Sequence, residues 1–171
     1  DVYKRQANWS GYFLPLTSQS HAIYRPLIAE SLFLDDDFQV VRLEVLDSAL
    51  LLDLMGMTFD VDDLRIDSDP NAMGTLTLSG GLAASSGVTI GDNGEGVLSL
   101  IDSYFLISQT LTIGQDGVGF LDVVGGAELE ADQATVGSNL NSFGHALVSG
   151  NGSTWETSFE IDVRRGVVEL Q

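Results

Sequence analysis

The 171-residue chain has no cysteine, so disulfides and thiolate metal sites are excluded and stability has to come from packing and backbone pairing. Basic residues number only 7 against 25 acidic ones, a formal charge of −18. A surface so poor in lysine and arginine offers no phosphate-binding patch, which excludes nucleic acid as a partner. There are two histidines, His21 and His145. With no cysteine near them they build no zinc site, and no pattern fixes a serine and an acid around either for nucleophilic catalysis. No apolar run approaches the ~20 residues needed to cross a bilayer; the densest, Ala49-Leu50-Leu51-Leu52, stops at Asp53. A defensible helical period is also missing. The 44% hydrophobic content nevertheless argues for one packed domain, and the 19 glycines follow no three-residue period.

What is present is a repeat. One short phrase returns as Leu43-Glu44-Val45, Leu64-Arg65-Ile66, Val88-Thr89-Ile90, Leu111-Thr112-Ile113, Ala134-Thr135-Val136 and Phe159-Glu160-Ile161. A second phrase opens with glycine, at Gly74, Gly96, Gly119, Gly144 and Gly166, and continues as in Gly119-Phe120-Leu121-Asp122-Val123. A looser third, Ala127-Glu128-Leu129-Glu130-Ala131, follows it. A period in this range means units that cannot bury their apolar faces alone and must cover one another. The expected fold is all-β: a right-handed parallel β-helix, a solenoid of about 23 residues per coil and roughly six coils, with three strands to each triangular turn.

The pleat then assigns faces, because alternate strand residues point to opposite sides. Inward columns hold Ile90, Ile113 and Val136 from the first phrase, and Leu76, Leu78, Leu98, Leu100, Leu121 and Val123 from the second. The first phrase's outward column reads Glu44, Arg65, Thr89, Thr112, Thr135, Glu160, so the three threonines form a ladder and Arg65 pairs with Glu44. Gly91, Gly114 and Gly137 each follow a first phrase, 23 residues apart, and are expected at corners that need a positive φ.

The chain divides into residues 1–6, 7–30 and 31–171. Asp1-Val2-Tyr3-Lys4-Arg5-Gln6 resembles the translation of a transposon adapter and is expected to be a cloning or assembly scar. Without it the chain has 24 acidic and 5 basic residues, a charge of −19. Residues 7–30, with Asn8-Trp9-Ser10-Gly11, Pro15 and Pro26, form an irregular lead-in cap. Residues 31–171 are solenoid, expected to be cut short in mid-coil at Gln171. Asp35-Asp36-Asp37 is a solvated loop between strands.

The stretch from Leu111 through Gly119-Phe-Leu-Asp-Val123, Gly125-Gly126 and Ala134-Thr-Val136 to Gly152-Ser-Thr-Trp155 resembles the repeat shared by type V autotransporter passengers and PEP-CTERM-sorted exported bacterial proteins. The resemblance covers residues 64–170, in its Gly-x-Leu-x-Val, Gly-Gly and Gly-Ser-x-Trp elements. It implies an exported bacterial β-helix at the cell surface, on the outer membrane or released, and it carries no common catalytic motif. The family's translocating barrel and Pro-Glu-Pro tail are not in this sequence.

Candidate chemistry is sparse. Asp67, Asp69 and Asn71 space oxygen-bearing side chains at alternate positions, as calcium loops do, but lack the later glycine and glutamate of an EF-hand. An ordinary acidic turn is the first reading there, and calcium, the sole candidate cofactor, the second. Asp122 and Glu169, with Arg164 and Arg165, form the one constellation that suggests a polysaccharide-binding or polysaccharide-cleaving β-helix. His145 reads as a surface residue beside Phe120, and Glu128 and Glu130 as a solvated acidic stripe. The expected function is a non-catalytic structural or adhesive segment of an exported surface protein, not an enzyme. Its expected partners are a host or matrix glycan or protein, the rest of its own longer chain, and further copies stacked end to end. A calcium-stabilised extracellular module is the remaining alternative.

Overall fold

The computed structural model describes residues 21–24, 30–34, 37–67 and 69–171. Residues 1–6 and 8–11, Pro15, Pro26, Asp35, Asp36 and Ser68 lie outside them. The first strands are β1 (His21–Tyr24), β2 (Glu30–Phe33), β3 (Phe38–Val45), β4 (Ser48–Asp53), β5 (Thr58–Ile66), β6 (Met73–Ser79) and β7 (Leu82–Ile90). They continue as β8 (Glu95–Ile101), β9 (Tyr104–Ile113), β10 (Val118–Val124), β11 (Glu128–Val136), β12 (Phe143–Ser149), β13 (Thr154–Val163) and β14 (Gly166–Leu170). Odd-numbered strands form one seven-stranded sheet and even-numbered strands another, each in sequence order, and every pairing is parallel. The chain is a β-solenoid of about 6 turns, and no helix is present among the described residues.

Parallel in-register stacking explains the repeat. Neighbouring coils lie ~4.8 Å apart, so each side chain sits on its equivalent in the next coil and each column must keep one chemistry. The glycine phrase shows this column by column: Gly74, Gly96, Gly119, Gly144 and Gly166 are successive register partners. Leu76, Leu98, Leu121 and Ala146 follow in the same way, all fully buried. Leu78, Leu100, Val123, Ile90, Ile113 and Val136 are fully buried too. Each such aliphatic side chain contributes on the order of 1.5–3 kcal/mol by leaving water. Thr89 and Thr135 both pair with Thr112, which makes the outward threonine ladder.

Four expectations need correction. The coil has two long strands, not three, because the third phrase runs straight into the next first phrase. Glu128 to Val136 is one strand, bent by a register shift between Ala131 and Gln133. Here the chain turns by a bulge, which leaves an extra residue unpaired and needs no turn sequence. The last copy of the first phrase is Ile161-Asp162-Val163, paired with Ala134-Thr135-Val136, so Glu160 faces Gln133 and Asp162 takes the column position. Pairing also starts inside the segment read as an irregular cap: β1 matches Ala22, Ile23 and Tyr24 to Leu43, Glu44 and Val45. Finally, Arg65 and Glu44 are register partners, but the Arg65 guanidinium goes to Asp63 (3.2 Å) and Asp92 (3.3 Å). Arg42 takes Glu44 at 3.6 Å and Asp63 at 2.7 Å. A long arginine side chain reaches both its own strand and the corner of the next coil, and Asp92 there is almost fully buried.

Candidate functional site

Three places bring polar chemistry together. The first is the corner after the first phrase. Gly91, Gly114 and Gly137 turn there with φ of 67°, 72° and 70°. Their amides donate to Ile66, Ile90 and Ile113 of the coil before, at 2.7–2.8 Å. Asp67 occupies the equivalent place one coil earlier, with φ of 59° and its amide bonded to Val45 at 3.0 Å. Aspartate is among the few residues besides glycine that tolerate this left-handed conformation. Its side chain is completely buried. One carboxylate oxygen accepts the Asp69 amide (3.0 Å) and the other accepts the Glu95 amide of the next coil (3.1 Å).

Of the three residues whose second reading was a calcium loop, Asp67 is buried and spends both oxygens on backbone donors. Asp69 caps the Asn71 amide at 3.2 Å, and Asn71 is exposed. Among the described residues no group of three or more His, Cys, Asp and Glu side chains is placed to hold a metal ion. Asp67 alone forms a buried inter-coil clamp, through its bond to Glu95.

Burial raises the Asp67 pKa above 3.8, with the Asp69 charge adding to the rise, while the Asp69, Glu95 and Gly74 amides pull it down. The folded chain therefore binds this proton more tightly than the unfolded chain, and the carboxyl subtracts stability as pH climbs from 3.8 toward its raised value. Melting curves of wild type and Asp67→Asn across that window are expected to converge or cross as pH rises, with wild type relatively strongest at the acid end. Parallel curves would rule this out.

The second place is the outer face of the even-numbered sheet. Asp122, Leu147 and Glu169 share one column, so the two carboxylates stand two coils apart, ~10 Å at the backbone, with an aliphatic side chain between them. That lies at or beyond the upper end of the roughly 5–9.5 Å carboxyl separations that glycoside hydrolysis uses. Glu169 lies 3.4 Å from His145, whose ring stands 6.2 Å from that of Phe120 at a 57° tilt. Arg164 is drawn to Asp162 at 2.7 Å instead of the acids of this face. Asp122, Glu169 and the arginines do not converge on one point.

The third place was not singled out as a site in the sequence: a shallow open groove of about 420 Å³ over the opposite corner, lined by Gly80, Gly81, Ser103, Tyr104, Gly126 and Glu128. Burial and then a hydrogen bond to Glu130 raise the Tyr104 pKa above 10.0, helped by the charges of Glu130, Glu128 and Glu156. Glu130 and Glu156 are register partners, so the acidic stripe expected from Glu128 and Glu130 extends one coil further. The Gly80-Gly81 and Gly125-Gly126 pairs, one in each of two coils, were the available sequence signal for this corner.

No protein-family model matches the chain, and neither a curated protein nor a solved structure matches it.

Proposed function

We propose that the chain is a non-catalytic structural and adhesive segment of an exported bacterial surface protein, of the autotransporter-passenger or PEP-CTERM kind that its repeat resembles. In this reading the solenoid is a stiff rod that displays side chains at the cell surface or outside the cell. The observation that carries it is the continuous parallel stacking of both seven-stranded sheets around a shaft filled by side chains. Such a coil spaces outward columns at a fixed pitch along the axis, which suits repeated weak contacts with a matrix. The outward acids serve solubility and weak recognition, and nucleic acid stays excluded as a partner by charge.

A second reading, polysaccharide binding or cleavage, has one observation in its favour: Phe120, His145, Asp122 and Glu169 share one outer face. A panel of acidic and neutral polysaccharides, scored for retention and for released product, separates the two. The expected result is weak retention with no product. Turnover that disappears in Asp122→Asn or Glu169→Gln would overturn the non-catalytic reading.

A further inference from the structure

We propose that Asn151 is a site of spontaneous modification, where the side-chain amide is lost as ammonia and the residue becomes aspartate or isoaspartate. The chain holds two Asn-Gly dipeptides, Asn93-Gly94 and Asn151-Gly152. Both are reactive in the unfolded chain for one reason. Glycine has no Cβ to hinder its backbone nitrogen, and its free φ lets that nitrogen reach the Cγ of the asparagine before it. At Asn151 the Gly152 nitrogen gives its proton to water and bonds to Cγ. The bond from Cγ to the side-chain nitrogen then breaks, and that nitrogen takes up a proton and leaves as ammonia, which closes a cyclic imide. Water opens the imide at either of its C–N bonds, giving aspartate or isoaspartate. The net change is one water consumed and one ammonia released.

Coil stacking separates two dipeptides that the sequence makes equal. Asn93-Gly94 lies in the glycine corner after β7 and is held from both sides. Toward the preceding coil, the Asp92 and Asn93 amides donate to the Asp67 carbonyl at 3.0 and 3.3 Å. A Cβ built on Gly94 would lie 2.5 Å from the buried Asp67 carboxylate. Toward the following coil, the Gly94 carbonyl accepts from Val118 at 2.8 Å. Gly117 packs there so closely that its Cβ would stand 2.7 Å from the Asn93 carbonyl carbon and 2.8 Å from the Gly94 nitrogen. Backbone therefore covers the attacking nitrogen, and turning it toward Cγ requires the coils to part. Asn151-Gly152 is the tip of the turn between β12 and β13, and both residues are exposed. One bond closes the turn, from the Ser153 amide to the Gly150 carbonyl at 3.2 Å. A Cβ built on Gly152 would meet only the Gly126 Cα, at 3.7 Å. Exposure belongs to this turn position itself. Met55 and Gly125 hold it in turns closed by the same kind of bond, in coils with a neighbour on either side, and both are exposed. Ser153 also accepts the Gly126 amide at 3.1 Å, and Gly126 borders the groove lined by Tyr104 and Glu128. Conversion of Asn151 thus adds a negative charge at the edge of that groove.

Peptide mapping of the ageing protein tests this. The folded chain is held at neutral and at mildly alkaline pH, cut with a glutamate-specific protease and followed by mass spectrometry. Glu95, Glu128 and Glu130 lie between the two sites, so they fall in different peptides. The Asn151 peptide should gain the mass of an amide-to-acid exchange about tenfold or more faster than the Asn93 peptide, a ratio that needs only ~1.4 kcal/mol of coil opening. Its rate should rise with pH, because the attacking amide has to lose a proton. An isoaspartate-specific methyltransferase should label the Asn151 peptide. In concentrated urea the two rates should become alike, since the unfolded chain keeps no coil-to-coil contact. Asn151→Gln, a change in an exposed turn, should remove the fast event and leave the slow one. Equal rates in the folded protein, faster conversion at Asn93, or a difference that persists in urea would each overturn the assignment. So would a product free of isoaspartate, or no conversion at Asn151 over a time in which the unfolded chain converts.

Discussion

Leu121→Asp is expected to abolish the cooperative melting transition, while Thr112→Asp lowers stability by less than about 1 kcal/mol. The two residues lie in consecutive strands of one coil and differ in which way the pleat turns them. Leu121 is completely buried between Leu98 and Ala146. Its replacement forfeits about 1.5–3 kcal/mol of apolar burial and leaves an unpaired carboxylate inside the shaft, which costs several kcal/mol more. Set against a total stability of about 5–15 kcal/mol for a domain, that is most or all of it. Thr112 sits half-buried between Thr89 and Thr135 on the outside. There an aspartate loses one β-branched contact in the ladder, about 0.2–1 kcal/mol, and keeps its charge in water. Urea titrations followed by circular dichroism measure both. Equal losses would mean that the faces are assigned the wrong way round.

This contrast was readable from the sequence because the stack forces each column to repeat its chemistry. Leu76, Leu98 and Leu121 are register partners in space and stand 22 and 23 residues apart in the chain. Corner glycines were legible for the same reason, and Asp67 would have been: it follows Ile66 as Gly91 follows Ile90 and Gly114 follows Ile113. The two readings made of it, an acidic turn first and a calcium ligand second, both left it out of the glycine column. The calcium trio and the clamp share Asp67, whose two oxygens accept the amides of Asp69 and Glu95.

Misreadings arose where two patterns carry equal hydropathy. Phe159-Glu160-Ile161 and Ile161-Asp162-Val163 both read apolar, acidic, apolar, so the period alone does not choose between them. The ten-residue β13 is one longer than β11 and absorbs its extra residue at the bulge, between the partners of Ala131 and Gln133. The bend in the odd-numbered sheet left no repeating glycine or proline signal, because a bulge turns the chain with ordinary residues: Gly87 stands there in β7, but Thr110 and Gln133 take the same place in β9 and β11. Arg65 chose Asp63 and Asp92 over Glu44 through side-chain reach, which register does not encode. Apart from the threonine ladder and the short acidic stripe, the outward chemistry does not repeat: Asp122, Leu147 and Glu169 share a column and no property. Fold was therefore legible through repetition, whereas a binding surface built from non-repeating residues had no such internal comparison.

Gly114→Ala is expected to cost about 4 kcal/mol or more, and Gly56→Ala no more than about 2 kcal/mol, although both glycines have a positive φ. At Gly56 φ is 83° and an added Cβ would meet nothing within 4 Å, so the cost is the left-handed backbone penalty alone. At Gly114 φ is 72°, and the same atom would run into the Phe143 carbonyl of the following coil, 2.6 Å from its carbon and 3.1 Å from the Gly144 nitrogen. That contact is backbone on backbone, so no rotamer change relieves it. Separating the coils strains the ladder there, in which the Gly114 amide donates to Ile90 (2.7 Å) and its carbonyl accepts from Ser138 (2.9 Å). Each buried group left unpaired adds about 1–3 kcal/mol. Gly119 of the same coil packs against the Gly114 nitrogen, so this corner is a column of backbone in direct contact from coil to coil. Gly91→Ala and Gly137→Ala should repeat the large effect, since an added Cβ there meets the carbonyls of Val118 and Arg165. Thermal melts of Gly114→Ala and Gly56→Ala decide the matter. Similar losses would mean that positive φ alone, and not coil-to-coil contact, is what selects glycine at this corner.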